Sequence, residues 1–252
     1  MTEGDATHRA VLEAEHLHLS FGGVRAVDDV SLSLAEGEFL AIIGQNGAGK
    51  STFLNICTGY LRPDSGDVRV GGRSILGLKP RVIARRGIAR AFQHPQLFLY
   101  HSVLDHLRFA VMARQSRFWR PFELLSSPRS AADVSGLLRL CDLEAIAEAP
   151  ARAIPEGSRK MLDVAMALAL LPRIVLLDEP TSGVSSAEKL GLMTRLVAAL
   201  RARGVSAIFV EHDMDVVARF ADRVAVWVEG RLLRVGPPAE VLADADVRAR
   251  VL

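Results

Sequence analysis

Cysteine is scarce: Cys57 and Cys141 are far apart and outside any metal-ligand spacing, which reads as a reduced, cytosolic compartment. Long apolar runs are missing too. The richest, residues 161–171, is interrupted by Asp163 and stopped by Pro172, short of the ~20 apolar residues that span a bilayer. A partner must therefore supply any membrane spans. The N-terminal stretch MTEGDATHRA has neither a basic n-region nor an apolar h-region, so no signal peptide is expected. Strong charge of one sign is also lacking. A net charge of +2, from 31 basic and 29 acidic residues, gives no field suited to a dedicated nucleic-acid binder. Repeats and low-complexity tracts do not occur.

What is present is ample material for a core. Half of the 252 residues are hydrophobic, enough for one large domain or two small ones. Residues 11–34 alternate as two strands around Gly22-Gly23, and FLAIIG (39–44) is a continuous apolar run, as in a strand buried on both faces. A helix is expected from Lys50 to about Gly59, a short strand at 67–72, a short helix at PRVIARRG and a strand at IARAFQ. From His94 to Ala153 the pattern turns helical and interrupted, with helices at SVLDHLRFAVMAR and SAADVSGLLRLCDL. Between them SRFWRPFELL carries Phe118, Trp119 and Phe122 among arginines, either a docking patch or an internal cluster joining two helices. Alternation resumes with a strand at RIVLLDE and a helix across 186–203 with Met193, Leu196, Val197 and Leu200 on one face. A strand at VSAIFVEH, a hairpin around Glu229-Gly230 and a last helix over 238–250 complete the chain. This is one α/β domain, residues 1–252, whose core (11–93 and 154–252) carries a helical insertion (94–153).

The stretch GQNGAGKS (44–51) fits G-x-x-x-x-G-K-[ST] and lies between an expected buried strand and an expected helix, the context that a phosphate loop needs. Gly47 and Gly49 let backbone N–H groups turn toward phosphate oxygens, and the helix N-terminus adds partial positive charge. Lys50 would reach the β- and γ-phosphates, and the Ser51 hydroxyl would bind Mg²⁺. IVLLDE (174–179) ends a strand in two carboxylates, where α/β sheets bind ligands. Asp178 would hold Mg²⁺, and Glu179 would orient and deprotonate a water. Gln93 follows a strand and would sense the γ-phosphate through Mg²⁺ or water, although a single Gln is more often polar surface; His212, at another strand end, is a candidate γ-phosphate donor, although a lone His is usually structural. Phe21 would stack on a base or fill the core.

In this order the motifs resemble the ATP-binding-cassette (ABC) ATPases over nearly the whole chain from Val11 onward. FGGVRAVDDVSL, VEHDMDVV and GPPAEVLADADVRARVL look like the uptake ATPases for branched-chain amino acids and related amides. The resemblance implies a P-loop NTPase fold of ABC type: a mixed central sheet, an N-terminal antiparallel β subdomain and an inserted α-helical subdomain. It implies that Phe21 stacks on adenine and that Gly44, Asn46, Gly47, Ala48, Gly49, Lys50, Ser51 and Thr52 belong to the phosphate loop. Gln93 would link Mg²⁺ to the transmembrane contact, Asp178 and Glu179 would be the magnesium aspartate and catalytic glutamate, and His212 the switch histidine. SGVS (182–185) stands where the dimer-contact loop belongs and departs from S-A-L-D. The implied cofactors are ATP and Mg²⁺. The implied partners are a second ATPase subunit, two transmembrane permease subunits and, indirectly, an extracytoplasmic binding protein, with no nucleic acid. The implied place is the cytoplasmic face of the membrane. A soluble DNA-repair or translation ATPase would carry a long coiled coil or a second cassette, and this chain has neither. An exporter ATPase and a weakly hydrolysing regulator remain as rivals.

Where the family reads L-S-G-G-Q, a motif that grips the γ-phosphate bound to the other subunit, this chain has Ile154, Pro155, Glu156, Gly157 and Ser158. Only the glycine is kept. Glu156 favours the helix N-terminus by ~0.3–1 kcal/mol but opposes an incoming phosphate. Two readings stand: a plain helix start, or a variant grip through the Gly157 N–H, Ser158 and Arg159. The site completed by this stretch would be a partner's, or its own copy's in a homodimer; an intact phosphate loop, Glu179 and His212 beside an altered signature lead us to expect an asymmetric heterodimer.

Overall fold

The computed structural model describes residues 9–115 and 128–251; Phe118, Trp119 and Phe122 lie outside them. Strands β1 (Ala10–Phe21) and β2 (Val24–Ala35) form an antiparallel hairpin turning at Gly22-Gly23. Their apolar residues bury one face, yet the spacing is not strict: Leu12, Ala14, Leu17 and Leu19 point inward opposite Val27, Val30, Leu32 and Leu34. The skipped residues are His16 (φ 47°) and Asp29 (φ 54°) at a register shift, bonded to each other at 2.8 Å. Each bulge moves the inward set by one residue, so the apolar pattern slips with it. Strands β4 (Ser65–Val70) and β5 (Arg73–Ser74) extend this sheet in the order β2-β1-β4-β5.

The second sheet has the order β10-β9-β3-β8-β7-β6, from β3 (Phe39–Gly44), β6 (Ile88–Ala91), β7 (Ile174–Asp178), β8 (Ser206–Val210), β9 (Arg223–Val228) and β10 (Arg231–Gly236). All neighbours are parallel except the hairpin β9-β10. Both faces are covered, so β3, β7 and β8 are buried at every position. Leu40, Ile42, Leu176 and Ile208 join the β-subdomain and helix α1 (Lys50–Cys57) in one core. Ala41, Ile43, Leu177 and Phe209 join the other. That second core takes in α3 (Val103–Gln115), α4 (Pro128–Leu140), α5 (Glu156–Ala169), α6 (Ser186–Arg201) and α7 (Met214–Phe220). A short helix α2 (Pro80–Arg85) precedes β6. Met193, Leu196, Val197 and Leu200 are buried on α6 as their spacing predicts.

Two helical elements differ from expectation. The last helix is broken into α8 (Pro238–Ala243) and α9 (Ala245–Arg250), because Asp244 leaves the helical region (ψ 132°) and caps the second piece, accepting from the N–H groups of Asp246 and Val247. Helix α7 is an addition: Asp213 caps it through the N–H groups of Asp215 and Val216.

Candidate active site

Strands β3, β6, β7 and β8 run parallel, so their carboxyl ends open on one edge of the sheet. That edge receives residues 44–52 from β3, Gln93 from β6, Asp178 and Glu179 from β7, and Glu211 and His212 from β8. Candidates scattered over the sequence are thereby gathered in one place.

The phosphate loop is closely seated. Gly49 has φ 106°, and a Cβ there would lie 2.0 Å from the Ala26 carbonyl oxygen; at Gly44 it would lie 2.2 Å from that of Trp227. Only glycine fits either position. The Gly230 N–H donates to the Ala48 carbonyl at 2.9 Å, so the β9-β10 turn braces the loop. Lys50 is buried, and its Nζ donates to the carbonyls of Gly44 (2.7 Å) and Gln45 (2.8 Å). Burial holds its pKa below the ordinary lysine value, while the carboxylates of Glu179 and Asp178 act the other way. Ser51 is exposed at the helix start. Phe21 is half exposed at the hairpin tip, which agrees with a stacking surface better than with a core role.

Glu179 is the hub of the polar residues. Its Oε2 accepts from Gln93 Nε2 at 2.5 Å, and its Oε1 lies 3.0 Å from His212 Nε2. A carboxylate gripped at both oxygens is held in one orientation, as a base acting on a bound water must be. The Glu179 backbone is left-handed (φ 47°), rare outside glycine and found where the surroundings over-determine it. Asp178 is buried, and its Oδ2 accepts from Arg90 Nη2 at 2.6 Å. Among the described residues no three His, Cys, Asp or Glu side chains form a metal cage. The hydroxyl of Ser51, the carboxylate of Asp178 and the amide oxygen of Gln93 are hard oxygen donors; with phosphate and water they suit Mg²⁺, which needs only one or two protein ligands.

The variant stretch opens α5, with Pro155 as the residue before the first turn. Arg159 does not extend toward a phosphate. It turns back to the carbonyls of Ala151 (3.0 Å) and Arg152 (2.9 Å), with Glu156 3.5 Å away. The grip expected of Arg159 is thus absent from this arrangement, because the preceding 3₁₀ turn (Ala151–Ala153) offers it unpaired carbonyls. Gly157 and Ser158 stay partly exposed, and a Cβ on Gly157 would meet nothing within 4 Å. Gly157→Ala is therefore expected to leave stability unchanged or raise it by up to ~1 kcal/mol. On the variant-grip reading turnover should still fall roughly ten- to a hundredfold, because the methyl group would hold off an approaching phosphate. Thermal melting and phosphate release on the same sample check this; unchanged turnover would contradict it.

Four residues of this site were not legible as functional in the sequence. Arg90 sits inside a short buried strand and forks to Asn55 Oδ1 and Asp178 Oδ2, each at 2.6 Å. Glu211, buried, accepts from the Thr181 N–H (2.9 Å) and the His212 N–H (3.2 Å). Lys160, also buried, donates to the Gln93 carbonyl (2.8 Å) and the Glu179 carbonyl (3.2 Å). Asp163 accepts from the Phe92 N–H at 2.8 Å, next to Gln93. The one available signal was a charged residue inside an apolar pattern.

Burial raises the Asp163 pKa from 3.8 to about 6, against the Phe92 N–H and Lys160, which lower it. A carboxyl that binds its proton more tightly folded than unfolded contributes stability that is full below its unfolded value. That contribution is lost as pH rises through the folded value. Between those two values the wild type should lose up to ~3 kcal/mol relative to Asp163→Asn. Urea midpoints of both proteins at about pH 4 and about pH 7.5 test it; parallel pH dependence would refute it.

A phosphate loop, paired carboxylates and a strand-end histidine on one sheet edge define a P-loop nucleotide hydrolase. A family model described as ABC transporter matches residues 27–182. The cobalt import ATP-binding protein of Rhodobacter capsulatus is 37% identical over 243 residues, covering 95% of this chain and 83% of that protein. A high-affinity branched-chain amino acid transport ATP-binding protein of Salmonella typhimurium is 35% identical over 245 residues, covering 94% and 95%. A solved ATP-binding cassette of an ABC transporter in its ADP conformation matches with a TM-score of 0.83 at 28% identity, covering 95% and 97% of the two chains. The chain belongs to the ABC transporter family, as an ATP-binding subunit whose ATP hydrolysis is coupled to transport.

Proposed function

We propose that this subunit powers an importer for branched-chain amino acids or related small amides, working on the cytoplasmic face of the membrane as one half of a head-to-tail ATPase pair. The observation that carries the catalytic part is the Glu179 carboxylate held between Gln93 and His212. Glu179 acts as the base toward water, His212 supports it, and Gln93 reports on the site. Phe21 takes the adenine, and residues 44–52 take the phosphates. Ser51 and Asp178 would hold Mg²⁺, with the Gln93 amide beside them, and the ion would neutralise phosphate charge. Gly157 and Ser158 would meet the nucleotide bound by the partner subunit, with Pro155 shaping the turn and Glu156 weakening the grip. That weakness favours an asymmetric pair, in which the site completed by 154–158 is the slower one.

The helical insertion is the proposed docking surface for two permease subunits. A groove of about 310 Å³, lined by Tyr60, Ile83, Phe92, Ala110 and Met166, lies beside the strand that leads into Gln93. Phe98, Leu99 and Tyr100 are exposed just after it. Among the described residues no helix is long and apolar enough to cross a membrane, so the spans would come from those partners. The substrate assignment rests on the resemblance to branched-chain amino acid relatives, while another relative serves cobalt. Reconstitution with permease subunits and a binding protein of the branched-chain amino acid type tests it: ATP hydrolysis should rise with leucine, isoleucine or valine. Stimulation by a metal ion alone would replace that substrate.

A further inference from the structure

We propose that Lys160 is a positioning residue that couples the stretch 154–158 to the catalytic carboxylate of its own chain. The proposal rests on the reading that Glu179 is the base and that 154–158 meets the partner's nucleotide. Lys160 opens the second turn of α5 yet is 3% exposed. A lysine on the inward side of a helix is costly unless its ammonium finds partners. Here it finds two backbone carbonyls, of Gln93 at 2.8 Å and Glu179 at 3.2 Å, from two different loops of the site. The carboxylates of Glu156, Glu211, Asp163 and Glu179 surround it and favour its charged form against burial, which acts first and in the other direction.

The Glu179 backbone shows why this contact matters. Its left-handed conformation needs support from its neighbours. Its N–H donates to the Val210 carbonyl at 3.1 Å, and its own carbonyl accepts from the Ser182 N–H at 3.0 Å as well as from Lys160. The Lys160 bond is the charged one, hence the stronger of its kind. It is also the one that comes from α5. A shift of the first turn of α5, as contact with a partner's phosphate would produce, moves the Lys160 ammonium. The two carbonyls follow, and the Gln93 and Glu179 side chains, joined at 2.5 Å, move with them. Nucleotide engaged by 154–158 in one site thereby orients the base of the other site.

The test compares wild type, Lys160→Met, Lys160→Arg and, as reference, Glu179→Gln. The readouts are kcat, the Hill coefficient for ATP, binding of a fluorescent ATP analogue and thermal melting. Lys160→Met is expected to keep analogue affinity within about twofold, to lower kcat about tenfold and to bring the Hill coefficient to about 1, with Lys160→Arg recovering most of the loss. An unchanged kcat and Hill coefficient in a folded Lys160→Met protein would overturn the coupling, as would equal losses in Lys160→Arg. Should Lys160→Met not fold, Lys160→Gln, which can still donate to one carbonyl, carries the same outcomes. If Glu179→Gln keeps the wild-type rate, the underlying reading of the site fails instead, whatever Lys160 does.

Discussion

Glu179→Gln should lower ATP turnover ~10²–10⁴-fold and leave nucleotide binding intact. The substitution keeps the shape of the side chain and removes its basicity. Glu179 does not contact the phosphate loop through any hydrogen bond of its side chain: its oxygens go to Gln93 and His212. The loop itself is seated by Lys50 and by the close approaches of Gly44 and Gly49. Binding and chemistry are therefore served by different residues and should separate. Phosphate release under saturating ATP, beside equilibrium binding of a fluorescent analogue, measures both. A turnover within about threefold of wild type would remove Glu179 from the base role.

Arg90→Ala should destabilise the chain by about 3–5 kcal/mol and weaken Mg²⁺-dependent nucleotide binding. The side chains of Arg90 and Asp178 are 8% and 11% exposed, so removing one leaves the other charged and buried without its partner. Arg90 uses two separate guanidinium nitrogens for Asn55 on α1 and Asp178 on β7. It thereby ties the helix after the phosphate loop to Asp178 at the end of β7. Lysine cannot reproduce that fork, so Arg90→Lys should recover little. Arg90→Met combined with Asp178→Asn should regain much of the stability, since no lone charge remains, yet no turnover. Urea unfolding of the three variants decides it; an Arg90→Ala loss below about 1 kcal/mol would mean that the pair does little.

The phosphate loop, the paired carboxylates and the strands that carry them were legible because each is local, whereas the order of those strands in the sheet was not. A glycine spacing, an apolar run and a strand-end acid all fall within a few residues. The bulges at His16 and Asp29 were not legible, since the alternation continues on either side of them. The break at Asp244 was hidden by good helix formers around it, and only the capping of α9 shows it. Lys160 and Arg159 are the instructive pair. Adjacent basic residues early in a helix read as positive charge facing a phosphate, with Arg159 in the grip, but tertiary contacts send Lys160 into the centre of the site and Arg159 back along the chain. Nothing within a few residues of either specifies which goes where. The partners are 67 and 8 residues away.

The most direct measurement mixes two disabled chains, one with Gly157→Ala and one with Glu179→Gln. In a head-to-tail pair, the intact Glu179 of the first subunit and the intact Gly157 of the second belong to the same site. A shared site predicts that the mixture hydrolyses ATP clearly faster than either chain alone. A rate equal to the average of the two would contradict a site shared between copies of this chain.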